Sequence, residues 1–169
     1  MFSVILYYKF VHVNDPERLQ AEQLELCKSL DLKGRVFIGK EGINGTLSGL
    51  DENIDKYKKN LRENKPFYDI EFKEERIERH VFRKIFVRVR KEIVGFGEKV
   101  NLKNSGKKIC AKELNNMIEN EEDFVIVDAR NNYETVIGRF KDAVTLDIEN
   151  FRDLPGKIKV LEKYKNKKI

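Results

Sequence analysis

The strongest constraint on the fold is the order of apolar spacings over residues 3–73, where short runs of period 2 and runs of period near 3.6 follow one another. Residues 3–10 (SVILYYKF) are rich in β-branched and aromatic side chains and predict a strand. Asn14-Asp15-Pro16 then predicts a helix start, with Asp15 as N-cap and Pro16 in the first turn. Leu19, Leu24, Cys27 and Leu30 recur at helical spacing, so this helix should end near residues 29–31 with Cys27 as a small hydrophobe on its buried face. Residues 34–40 predict a second strand, Glu41-Gly42-Ile43-Asn44-Gly45 a turn, and residues 46–48 the returning strand of a hairpin. Asp51 or Asn53 should cap a second helix over residues 52–64, with Pro66 beyond its end and a strand at residues 69–73.

The resulting order, β-α-β-β-α-β, is the split βαβ arrangement of ferredoxin-like folds, in which two helices cover one face of a four-stranded antiparallel sheet. Residues 81–95 follow, and their middle alternates cleanly. Ile85, Val87 and Val89 share one face; Lys84, Phe86, Arg88 and Arg90 share the other, as in a half-buried strand. The polar, Gly-containing stretch 101–106 predicts a boundary between domains at 1–100 and 107–169. Beyond it, Leu114, Met117 and Ile118 mark a helix. Residues 124–127 (FVIV) read as a strand buried on both faces of a parallel sheet. A second short strand is expected near residues 143–146, a helix from Phe151 or Pro155 to Tyr164, and the start of a further strand at 166–169. Strands alternating with helices place this half in the parallel α/β class.

Charged residues make up 37% of the 169, against roughly 25% in an average globular protein. That excess implies much solvated surface and small cores. The net charge of +5 is compatible with nucleic acid, and the basic residues cluster locally. Two cysteines, Cys27 and Cys110, make neither a disulfide framework nor a C-x-x-C pair. No apolar run approaches the length of about 20 that spans a bilayer, and residues 1–10 do not read as a signal peptide, so the expected location is the cytoplasm, away from membranes. His12 and His80 join no cluster of ligand spacing, and no metal, flavin or nicotinamide motif is present.

The second half resembles a rhodanese domain. The strand 124–127 is followed by Asp128, Arg130, Glu134, Gly138-Arg139-Phe140 and Ala143, with Arg139 where that pattern usually has His. Physically, Asp128, Arg130 and Glu134 can hold a strand-to-helix corner through charge-assisted hydrogen bonds, and they are candidates for supporting a catalytic site. The whole chain further resembles the rhodanese-like tRNA uridine hydroxylases. The residues that carry this are Arg35-Val36-Phe37, Glu41-Gly42-Ile43-Asn44-Gly45, Ser48-Gly49, residues 130–134 (RNNYE), Phe151-Arg152 and Leu154-Pro155, in collinear order. The resemblance implies a ferredoxin-like, acylphosphatase-like first domain and a partial rhodanese-like second one. It also implies oxygen-dependent hydroxylation of wobble uridine to 5-hydroxyuridine, with molecular oxygen as co-substrate and tRNA as partner.

It further implies a nucleophilic Cys in a Gly-rich loop whose main-chain amides stabilise the thiolate. That Cys is expected beyond Ile169, so the chain reads as a fragment, inactive by itself. For RNA the candidates are Arg35, Arg83, Lys84, Phe86, Arg88, Arg90 and Lys91, cations for phosphates around an aromatic for a splayed base of the anticodon loop. The competing account of that face is a charged edge strand kept from aggregating. Glu41, Gly42 and Asn44 are candidates as a turn motif, with backbone conformation as the plainer account. The alternative functions are a rhodanese-type sulfurtransferase and a non-catalytic RNA-binding module.

Overall fold

The computed structural model describes residues 1–98 and 105–169. The chain divides into two compact units, Met1–Val94 and Gly95–Ile169. The boundary expected at 101–106 falls largely on residues outside those described.

The first unit has the expected succession: β1 (Phe2–Phe10), α1 (Pro16–Ser29), β2 (Lys33–Gly39), β3 (Gly42–Leu50), α2 (Asp51–Glu63) and β4 (Lys73–Ile77), followed by β5 (Ile85–Val89). Asp15 caps α1, its carboxylate accepting from the Arg18 amide at 2.9 Å. The sheet differs from expectation. It has five strands in the order β4-β1-β3-β2-β5, and β5 lies parallel to β2 at the edge, so the sheet is mixed rather than antiparallel throughout.

Three local expectations are corrected. The strand placed at 69–73 begins at Lys73, because Phe67 and Ile70 are both buried in the core, in a 3₁₀ turn closed by Ile70 N donating to Phe67 O at 3.0 Å. The hairpin turn is the pair Lys40-Glu41; Gly42 to Gly45 already belong to β3, with Gly39 opposite Gly42. No side chain caps α2: Asp51 instead accepts from Ser3 Oγ at 2.9 Å, and Asn53 donates to Leu30 O at 3.0 Å.

The core lies between the sheet and the two helices. Ile5 and Tyr7 of β1, Val36 and Ile38 of β2, Ile43 and Leu47 of β3 and Val87 of β5 meet Leu19 and Cys27 of α1 and Ile54, Tyr57 and Leu61 of α2. Strands β1, β2 and β5 therefore send alternate residues into the core, as a one-sided sheet requires, while the edge strand β4 buries none. At Gly45 a Cβ would lie 2.4 Å from the Tyr7 ring, so the missing side chain is what lets Tyr7 reach across. There the Tyr7 and Tyr57 hydroxyls bond to each other, and Tyr57 donates to buried Gln23 at 2.8 Å. Burial pushes the Cys27 thiol up to about 12 and raises both phenols.

The second unit contains α3 (Ala111–Glu119), β6 (Val127–Asp128), α4 (Asn132–Ile137), β7 (Val144–Thr145) and α5 (Leu154–Lys157). Strands β6 and β7 are parallel, and Phe124 pairs in parallel with Lys168, as the α/β pattern requires. Two corrections apply. The run 124–127 is half-buried, not buried on both faces, and only Val127 is in a named strand. The helix expected up to Tyr164 is broken, with 3₁₀ turns at Phe151–Asp153 and Ile158–Tyr164 on either side of α5.

Among the described residues of this unit the fully buried apolar side chains are few, chiefly Leu146 and Ile148, and Val136 and Ile137 are over four-fifths exposed. Opening free energy follows buried apolar contact. Amide exchange on the 169-residue chain is expected to show strong protection in β1, β2 and β3 and weak protection in β6, β7 and α4. Equal protection in the two units would contradict this.

Candidate functional site

Both helices lie on one side of the five-stranded sheet, so its other side is open. Register decides what that side shows. Phe86 of β5 stands opposite Arg35 of β2, and Arg88 opposite Phe37, all pointing away from the core. Each ring is flanked by two cations. Lys84 Nζ lies 4.8 Å and the Arg88 guanidinium 5.3 Å from the Phe86 centroid, while Arg90 and Arg35 lie 5.4 and 6.0 Å from that of Phe37. A cleft of about 160 Å³ opens among Arg35, Phe37, Phe86, Arg88 and Arg90. Of the cations expected from the sequence, Arg35, Arg88 and Arg90 converge on it. Lys84 joins through the Phe86 ring. Arg83 and Lys91 are exposed beside the strand ends and do not line it. Phe37 was missed as a member, because only the non-local pairing of β2 with β5 brings it to Arg88 and Arg90.

Glu41, Gly42 and Asn44 have a definite position. Glu41 Oε1 accepts from the Ile93 amide at 2.7 Å, and Asn44 Nδ2 donates to the Ile93 carbonyl at 2.9 Å. Both main-chain groups of buried Ile93 are thus satisfied by this one segment. Gly42 has φ +144°, and a Cβ on it would meet Lys9 O at 1.9 Å and Ile93 Cδ1 at 3.1 Å. The motif seats the chain that leaves β5; Asn44 has no positive φ, so backbone freedom is not its reason.

In the second unit Asp128 ends β6. Arg130 Nε and Nη2 fork onto its two oxygens at 2.9 and 2.6 Å, the Arg130 amide donates to Oδ1 at 3.1 Å, and Nη2 also donates to Gly138 O at 2.7 Å. Glu134 caps α4, accepting from the Asn131 amide at 3.2 Å. The three residues therefore brace a corner, beside an open cleft of about 460 Å³ lined by Ile126, Asp128, Arg130, Arg139 and Phe140 among others. Hydrogen bonds from Arg130, helped by the charge of Arg139, hold the Asp128 carboxyl below the usual range.

The two thiols are placed differently. Cys27 is buried in the first unit. Cys110 is exposed at the N-cap position of α3, and its main-chain amide donates to Glu113 at 2.8 Å. Among the described residues no group of carboxylates, histidines and cysteines could hold a metal ion.

The depressed Asp128 acidity fixes the sign of a pH effect. The unfolded chain binds the proton at a higher pH than the folded one, so the corner's contribution is complete above about pH 4 and fades as pH falls through the folded value. Asp128→Asn is expected to remove that part of the acid dependence, read from urea midpoints of the second unit between pH 2 and 6. An unchanged pH profile would show that the pair contributes nothing.

The sequence profile of the UPF0176 acylphosphatase-like domain matches residues 2–93. A protein of Staphylococcus haemolyticus called tRNA uridine(34) hydroxylase is 45% identical over 161 residues, which are 94% of this chain and 50% of that protein. Proteins of the same name from Staphylococcus carnosus and Cytophaga hutchinsonii are 43% and 42% identical, each over 99% of this chain and 54% of its own length. The chain spans about half the length of the curated relatives it matches. With the profile covering all of β1 to β5, more than half of its residues, this chain belongs to the UPF0176 acylphosphatase-like domain family.

Proposed function

We propose that the protein carrying this chain hydroxylates the wobble uridine of tRNA, and that the basic edge of the five-stranded sheet holds the anticodon loop. The observation that carries this is the cation-and-aromatic cleft between β2 and β5, in a chain so similar to proteins named for hydroxylating uridine 34. Guanidinium groups fix phosphates, and an aromatic ring accepts a splayed base, which is how single-stranded RNA loops are recognised. The cytoplasm is the corresponding location, since that is where a tRNA substrate is found. No helix among the described residues is long and apolar enough to cross a membrane.

The second unit supports a rhodanese-type scaffold through the Asp128–Arg130 brace at the carboxyl end of a parallel strand, where ligands bind in open α/β sheets. Asp128, Arg130 and Glu134 act there as positioning residues. Oxygen serves as co-substrate. Cys27 is buried in the first unit and Cys110 stands at the start of α3, so the reactive thiol of a rhodanese-type loop is assigned to the part of the protein that this chain, about half the length of its relatives, does not span.

Deleting the gene in its host is expected to abolish 5-hydroxyuridine at position 34, measured by mass spectrometry of digested tRNA, and the intact gene should restore it. Loss of a sulfur-modified nucleoside instead would favour a sulfurtransferase. Unchanged 5-hydroxyuridine would refute the hydroxylase reading. Arg88→Glu with Arg90→Glu should weaken binding of the anticodon stem-loop. The slope of log K against log salt should flatten by roughly 1.5, at about 0.7–0.9 for each phosphate that is no longer neutralised.

A further inference from the structure

The open face of the sheet is wider than the basic edge. Across β1, β3, β2 and β5 the outward residues fall into rows set by register. One row is Tyr8, Asn44, Phe37 and Arg88; the next is Leu6, Thr46, Arg35 and Phe86. Tyr8 is 55% exposed and Leu6 43%, so the rows remain open on the β1 side as well.

The pair of rows is closed along both of its long sides. Beyond the second row, His80 packs edge-on against Phe2 at 5.0 Å and lies 3.2 Å from Ser48 Oγ, because the link from β4 to β5 must cross the sheet from one edge to the other. Beyond the first row, Ile93 sits over Gly39 and Gly42, held by Glu41 and Asn44. What remains is a trough two rows wide that runs across the strands. Its floor carries three aromatic rings. Phe86 and Phe37 are diagonal neighbours on adjacent strands, and Tyr8 stands two strands from Phe37, roughly 10 Å away at the usual strand spacing. Cations bound the β5 end, where Lys84, Arg88 and Arg90 gather; β4, at the opposite edge, carries Lys73, Glu74, Glu75 and Arg76 and so no net charge, with Lys73 beside Leu6.

We propose that this trough is a base-stacking platform on which single-stranded RNA lies across the strands from β5 towards β1, with successive unpaired bases on Phe86, Phe37 and Tyr8. The proposal rests on the RNA reading above and adds the direction of the strand, the number of stacked bases and a role for Tyr8. Charge complementarity selects a polyanion at the β5 end. The exposed rings select unpaired bases over a duplex, whose bases are already stacked on each other. The cations that flank Phe37 and Phe86 fix both rings in place and stand where the phosphates between stacked bases would pass.

The test uses the 169-residue chain and a 17-nucleotide anticodon stem-loop carrying 2-aminopurine in the loop, with a fully paired hairpin of equal length as control. Tyr8→Leu keeps an apolar side chain at an exposed position and leaves the core untouched. It should weaken loop binding roughly 5- to 100-fold, the range for loss of one stacked base, with no change in salt slope. Tyr8→Phe should bind as the unaltered chain does. Quenching of 2-aminopurine on binding should be lost in Phe37→Leu or Phe86→Leu, and hairpin affinity should not respond to Tyr8→Leu.

If Tyr8→Leu, Phe37→Leu and Phe86→Leu all bind the loop normally while Arg88→Glu with Arg90→Glu does not, RNA follows the basic edge alone and the platform is wrong. If the arginine variant also binds normally, the RNA reading itself fails.

Discussion

The parallel pairing of β5 with β2 is the interaction on which the open face depends. Side chains alternate across a strand, so a slip of one residue would drive Phe86 and Arg88 into the core and bring Val87 out to water. Several independent contacts hold the register. Val87 is buried against the core, and Gln20 of α1 donates to its carbonyl at 3.0 Å. Gly34 N bonds Lys84 O at 3.1 Å at one end, and Arg90 N bonds Ile38 O at 2.8 Å at the other. Just past the strand, Glu41 and Asn44 hold Ile93. A short edge strand of five residues is thereby fixed along its length.

The two units differ in how they are built. The first closes one continuous core between helices and sheet, and its irregular features have specific steric reasons: Gly45 admits Tyr7, and Gly42 admits Ile93. The second is organised around a polar corner. Its forked Arg130–Asp128 pair is partly solvated, with Arg130 47% exposed, and such a pair contributes less to stability than an apolar core does. Its value is geometric: it fixes where β6 ends and α4 begins.

Much of the first unit was legible in the sequence because its signals are local. Asp15-Pro16 announced α1, and the alternation of Ile85 and Val87 with Phe86 and Arg88 announced β5. What escaped was non-local. No pattern within 81–95 says that the strand joins β2 in parallel, and so none could bring Phe37 to Arg90. The strand expected at 69–73 went astray because Phe67 and Ile70 are apolar for the sake of the core, not of a sheet. Glu41, Gly42 and Asn44 read as a turn, since their partner is Ile93, some fifty residues on. In the second unit Asp128, Arg130 and Glu134 were legible as a corner because their partners are within ten residues.

The buried chain of Cys27, Tyr7, Tyr57 and Gln23 has a consequence for the alkaline limit of the molecule. All three titratable groups must stay protonated to remain inside, and burial raises each of them above its value in an unfolded chain. The unfolded state therefore releases protons first as pH climbs, from about 8.5 for the thiol and about 10 for the phenols, and linkage then draws the first unit open. Acid acts on both units, through Asp69 held by Lys9 in the first and Asp128 held by Arg130 in the second. What sets the first unit apart is its sensitivity to alkali, which comes from an interior that must not ionise.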